Sequence, residues 1–96
     1  MSDVVTEHLR LSILRVLDNA PSFTANDSII HQVTQEFGIV ATRDRIKTEL
    51  AWLAEQGLVV THEVMTVVVA TLTERGGDVA HGRAVQPGVK RPSPGS

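Results

Sequence analysis

The sequence predicts one small, mainly α domain carrying a single β-hairpin, in the order helix, helix, helix, hairpin, helix. Three observations carry that prediction. Apolar residues recur at helical spacing in three separate segments before residue 57. From Leu58 the pattern changes to extended runs of β-branched residues. After Thr73 a short, capped helical pattern returns.

The first helix is expected from about Asp3 to Asn19. Val5, Leu9, Ile13, Val16 and Leu17 make one apolar face, and Leu11 and Leu14 widen it. A stripe that broad needs a cover, either this domain's last helix or a second subunit. Val5, Leu9, Leu11 and Leu14 are the residues a homodimer would use. Pro21 ends the helix, because the residue before a proline is pushed out of helical geometry. The second helix begins near "TAND", with Thr24 or Asn26 as the cap and Asp27 set against the dipole. Its expected buried side is Ile29, Ile30, Val33 and Phe37. Gly38 supplies a left-handed stop, and Ile39 and Val40 are expected under the helix pair.

Thr42 caps the third helix, "TRDRIKTELAWLAEQGLV". Ile46, Leu50, Leu53 and Ala54 form a narrow inward face, with Trp52 beside it and partly covered. Gln56-Gly57 ends the helix. The segments "LVVTHEV" and "MTVVVATL" read as the hairpin, with His62 to Met65 as the bend. Thr73 caps the closing helix, "TERGGDVAHG". Adjacent Gly76 and Gly77 cost about 1 kcal/mol each in a helix interior, so this element is expected to be weak or to start late. The folded domain spans 1–83. Residues 84–96, with five Pro or Gly in thirteen positions and no apolar period, read as a flexible or extended tail.

Composition bounds the function. The chain has 96 residues, 42% of them hydrophobic, enough for one modest core but not for a deep pocket as well. With no cysteine, disulfides and thiolate metal sites are excluded, and an intracellular setting is the simplest expectation. No apolar run approaches the roughly 20 residues that span a bilayer, so no membrane association is expected. The start, "MSDVVTEHLR", is unlike a signal peptide. A net charge of −2 weighs against tight nucleic-acid binding, which draws on phosphate neutralisation.

Taken with local residues, the element order resembles a winged helix-turn-helix. "IKTELAWLAEQGLV" is similar to the third helix and first wing strand of the MarR and ArsR regulator families, and "ATLTERG" to their second wing strand entering the closing helix. At a finer level, "SDVVTEHLRLSILRVL", "TRDRIKTELAWLAEQGLV" and "PGVKRPSP" resemble small proteins of Mu-like transposable bacteriophages. That resemblance implies a phage gene expressed in the cytoplasm of a bacterial host.

In such a fold the start of the third helix enters the major groove and the hairpin meets the neighbouring groove or backbone. Carried over by position, Thr42, Arg43, Arg45, Lys47 and Thr48 would face double-stranded DNA, with His62 on the wing. Arginine suits that place because its planar fork can bond both acceptors of a guanine edge. Arg43 and Lys47 share one helix face, while Arg45 is aimed elsewhere. Asp44 and Glu49 lie in the same stretch and leave a small cationic excess. The wing departs from the resemblance: Thr61, His62, Glu63 and Val64 include an acid and no arginine. Lys90 and Arg91 on the tail offer a second, weaker set of phosphate contacts.

Other chemistries find little support. Asp78 and His81 are three apart on the last helix but make a poor metal site, and His8 and His31 read as surface or boundary residues. No cofactor motif and no catalytic motif is present. Glu49 and Glu55 lie on nearly opposite sides of one helix and cannot act together, so an enzyme is not expected. The leading expectation is a homodimeric winged-helix DNA-binding regulator. The alternative is a winged-helix module that binds a phage or host protein during packaging, assembly or host takeover.

Overall fold

A computed structural model describes residues 3–93. Helix α1 spans Val4–Asp18, α2 Asp27–Glu36, α3 Arg43–Glu55 and α4 Glu74–Ala80; strands β1, β2 and β3 span Thr24–Asn26, Val59–Val64 and Val67–Leu72. The fold is a winged helix-turn-helix whose hairpin gains a third strand. The sheet order is β1-β3-β2, antiparallel throughout.

Each helix starts where a side chain can take an unpaired amide of the first turn. Asp3 accepts from the Thr6 amide at 2.7 Å, Asn26 from Ile29 at 2.8 Å and Thr42 from Arg45 at 3.0 Å. Thr73 accepts from the Gly76 amide at 3.0 Å. Asn26 is therefore the cap of α2. Thr24 instead lies in β1, where its hydroxyl meets that of Thr71 at 2.9 Å and Thr24 pairs with Thr71 in register. Residues 21–23, with Ser22 and Phe23 at positive φ, turn the chain from α1 into that strand.

The core joins all four helices to the inner face of the sheet. Leu9, Leu11, Ile13, Leu14 and Leu17 of α1 meet Ile30, Ile46, Leu50, Leu53, Leu58, Val59, Ala70 and Val79, all fully or almost fully buried. Several expectations change here. Leu9, Leu11 and Leu14 belong to this core, and α4 is among the elements that cover α1. They offer no surface to a second subunit. Val5, expected on the same apolar face, is 70% exposed. On α2 only Ile30 is fully buried among the four apolar residues expected inside; Ile29 and Phe37 are 47% and 76% exposed. Val40 stands in solvent and Ile39 is half-buried.

The wing is longer than the bend at His62–Met65 predicted. Val64 pairs with Val67, so the tip is the two-residue turn Met65-Thr66. Met65 has φ of 58°, the left-handed conformation such tight hairpin turns require, supplied here without glycine or asparagine. Helix α4 begins directly after Thr73 rather than late. A Cβ on Gly76 would stand 2.0 Å from the Leu58 carbonyl oxygen, and that oxygen also accepts from the Thr73 amide at 3.1 Å. The glycine that weakens the isolated helix is what lets it reach the start of β2.

The segment after residue 83 is extended but not free. Val89 is buried, the Lys90 amide donates to the Glu7 carbonyl at 3.1 Å, and the Gly88 carbonyl accepts from Arg10 at 3.0 Å. The expectation of a flexible tail is corrected for this stretch, which straps α1 and α3 together; its last residues, 94–96, lie outside the described residues. No helix among the described residues is long and apolar enough to cross a membrane.

Candidate nucleic-acid interface

The start of α3 lies between the start of α2 and the wing, and two carboxylates organise it. Asp27 is fully buried in the first turn of α2. Arg43 donates to its Oδ1 at 3.2 Å, and Lys47 Nζ stands 3.5 Å from Oδ2, which has no hydrogen-bond donor. Lys47 also donates to the Thr66 carbonyl at the wing turn at 3.0 Å. One buried acid thus fixes the relative placement of α2, α3 and the hairpin. Burial alone pushes the Asp27 carboxyl up. The hydrogen bond from Arg43, the nearby Val68 amide and the charges of Arg43 and Lys47 outweigh it and hold the group below the usual carboxylate range.

Glu49 organises the other side. It is buried, and its two oxygens accept from Arg10 and Arg45, each at 2.7 Å. The Arg10 guanidinium lies 3.7 Å from the centre of the Trp52 ring, a desolvated cation–π contact. Arg45 also reaches the Thr6 hydroxyl. Both acids are shared by two cations, so each cluster keeps one positive charge in excess.

The predicted contact residues divide accordingly. Arg43 and Lys47 share a side of α3 next to the wing, with side chains 44% and 32% exposed. Arg45 points to the start of α1 instead, and is not brought together with them. Thr42 is exposed but its hydroxyl is committed to the cap. Thr48 is exposed and donates to the Asp44 carbonyl at 3.1 Å. Asp44, Thr48, Ala51 and Glu55 form the outward ridge of α3, which therefore carries an acid at each end. His62 is exposed on β2 between Val60 and Val64, on the outer face of the sheet. Lys90 and Arg91 are exposed, but the strap ties them to the first turns of α1 rather than leaving them on a free arm.

The buried charges were missed in the sequence, though a signal was there. Arg10 is in phase with Ile13, Leu14 and Leu17, Asp27 with Ile30 and Thr34, and Glu49 with Ile46 and Leu53. A charge on an apolar stripe demands a partner of opposite sign. Asp78 and His81 do not converge: Asp78 binds Arg83 at 3.0 Å, and His81 lies 2.8 Å from Asp18. Among the described residues no three potential ligands gather around one point.

Comparison with known proteins agrees with this geometry at the level of fold and kinship. No protein-family model matches the chain, so the specific MarR and ArsR kinship expected from the local motifs gains nothing beyond a shared fold. Among solved structures, the chain is similar to hsRosR-S1, determined as a complex, with a TM-score of 0.64 and 25% identity over 74% of this chain and 62% of that one. The chain thus spans less than two thirds of that protein's length. An uncharacterised protein of Haemophilus influenzae is 38% identical over 74 residues, 76% of this chain and 72% of its own. The uncharacterised protein gp26 of Escherichia phage Mu is 44% identical over 94 residues, 98% of this chain and 97% of gp26. At that identity and coverage, the chain belongs to the family of phage Mu gp26.

Proposed function

We propose that this protein is a small winged-helix DNA-binding protein of phage type, acting in gene regulation in the bacterial cytoplasm. The single observation that carries the reading is the cluster at the start of α3. Arg43 and Lys47 are half-exposed beside the wing turn and share one carboxylate, so an excess positive charge stands where the fold presents α3 to a groove. The likeness to hsRosR-S1 supports the winged-helix frame on which that cluster sits. The acidic ends of the outward ridge make the interaction weak and mainly electrostatic, with few base contacts to confer sequence preference.

Anisotropy of a labelled duplex, titrated with the protein at several salt concentrations, tests the reading. Two to four phosphate contacts give a log–log salt slope of about −2 to −4. Substituting Arg43 and Lys47 also strips Asp27 of its partners, so the cleaner variants add charge to the exposed ridge. Thr48→Glu and Ala51→Glu, neither of which touches the core, are expected to abolish binding while leaving the fold intact. Absence of binding by the wild type at low salt contradicts the proposal.

A second reading rests on a different observation. Val60 and Val64 are exposed on the outer face of the wing, Met65 at its tip is 94% exposed, and Glu63 is exposed on the opposite face of the same strand. An apolar, acidic wing suits a protein partner better than phosphate. A protein-interaction role in phage packaging, assembly or host takeover is the alternative function, and duplex binding discriminates the two.

A further inference from the structure

A groove of about 620 Å³ lies between α1 and α2, bordered also by the turn after α1 and the turn after α2. Nothing from α3, the wing or α4 lines it, so it is separate from the surface assigned to DNA above. One wall is α2, where Ile29 and Phe37 are exposed and Val33 is half-buried rather than in the core. Phe37 is one of only three aromatic residues in the chain, and most of its surface is in water. Covering an exposed Phe or Ile removes a large apolar area from water, so this wall is a favourable place for an apolar partner surface.

The other wall is polar and basic. His8, Ser12, Arg15, Val16 and Asn19 run along α1 at i, i+4, i+7, i+8 and i+11. At 1.5 Å per residue that stripe is roughly 16 Å long, three turns of helix. The chain holds 11 acidic residues against 9 basic ones, yet none of the 12 lining residues is Asp or Glu. Arg10, Arg43, Arg45 and Arg83 all pair with carboxylates. Among the described residues Arg15, like Arg75 and Arg91 outside the groove, has no such partner. An apolar trough three turns long, with an unmatched arginine and a histidine on one side, is complementary to one kind of occupant. We propose that the groove binds an amphipathic helix of another protein, seating its apolar stripe against Val16, Ile29, Val33 and Phe37 and its flanking carboxylates against Arg15 and His8.

Helix-in-groove recognition of this kind reads apolar anchors at i, i+4 and i+7, and takes its orientation from the flanking charges. The test uses two synthetic helical peptides of about 15 residues with the same leucine pattern, one flanked by glutamates and the other by lysines. Each is titrated into isotope-labelled protein while the amide resonances are followed. The glutamate peptide is expected to shift amides of α1 from His8 to Asn19 and of α2 from Ile29 to Phe37. The lysine peptide is expected to bind at least about tenfold more weakly. Arg15→Glu, at a half-buried position in the last turns of α1, reverses that preference. Phe37→Ser weakens both peptides and leaves the fold unchanged. The proposal is overturned if neither peptide shifts these amides, or if the shifts map elsewhere. It is equally overturned if Arg15→Glu leaves the preference as it was, or if the groove amides are already covered by a second copy of the chain or respond to duplex DNA.

Discussion

At the scale of single residues, three buried charges decide how α3 is presented. Glu49 is held by Arg10 and Arg45, and removing its charge leaves Arg10 desolvated over Trp52. Breaking a buried pair from one side costs about 3–5 kcal/mol, so Glu49→Gln is expected to lower the unfolding free energy by a few kcal/mol in denaturant titration. Arg10→Met combined with Glu49→Leu recovers much of that loss, because an apolar pair of similar volume asks for no charge compensation. Asp27 gives a pH signature. Its carboxyl is held below the usual range in the folded state, so its contribution is complete above the unfolded value of about 3.9 and disappears as pH falls through the folded value. Asp27→Asn is therefore expected to be less stable than wild type at neutral pH. The gap should narrow below about pH 4 in thermal melts, as the wild-type carboxyl takes up its proton. A gap that is constant from pH 7 to 3 contradicts the assignment.

At the scale of elements, the contacts that matter are close approaches. The Cβ that Gly76→Ala would add meets the backbone of Leu58 at 2.0 Å, and forcing a backbone apart costs about 1–3 kcal/mol or more. Helix α4 or the start of β2 must then shift, which a drop in melting temperature reads out. The strap is the second case. Removing residues 84–96 uncovers Trp52 and exposes the Arg10–Glu49 pair to water. Loss of the Val89 side chain alone is worth about 1.5–3 kcal/mol. A red-shifted tryptophan emission and a lower denaturation midpoint are the expected results.

The elements also show what could be read in advance. The caps Thr42 and Thr73 and the stops Gly38 and Gly57 could be placed from the chain, because each depends on one local interaction or one backbone conformation. The third strand could not. Three residues pairing with β3 across nearly fifty positions leave no local periodicity. Phe37 and Val40 were misplaced for a similar reason: a helix pattern gives the phase of an apolar stripe, not whether anything comes to cover its edge. The strap was hidden by its composition, since proline and glycine mark the absence of helix and strand but are silent on docking. Of the candidate site, the positions of Arg43 and Lys47 on a common face followed from helix geometry. Their shared acid did not, because Asp27 was assigned to a dipole rather than to a partner on another helix.

For the whole molecule, the question is what a chain of net charge −2 does with a fold suited to grooves. Its acids are not spread evenly. Asp27 and Glu49 are buried beneath the cations of α3, each outnumbered two to one, whereas Asp44 and Glu55 are exposed on the outward ridge. The field at the start of α3 is locally positive within a globally acidic protein, so binding to DNA is expected to fade quickly as salt rises. The most direct measurement of binding through that site is to titrate isotope-labelled protein with a mixed-sequence duplex at low salt and map the amide shifts. Shifts are expected to concentrate at residues 42–48 and 64–67, the start of α3 and the wing turn. No shifts at low salt, or shifts confined to α1 and α2, would contradict such binding.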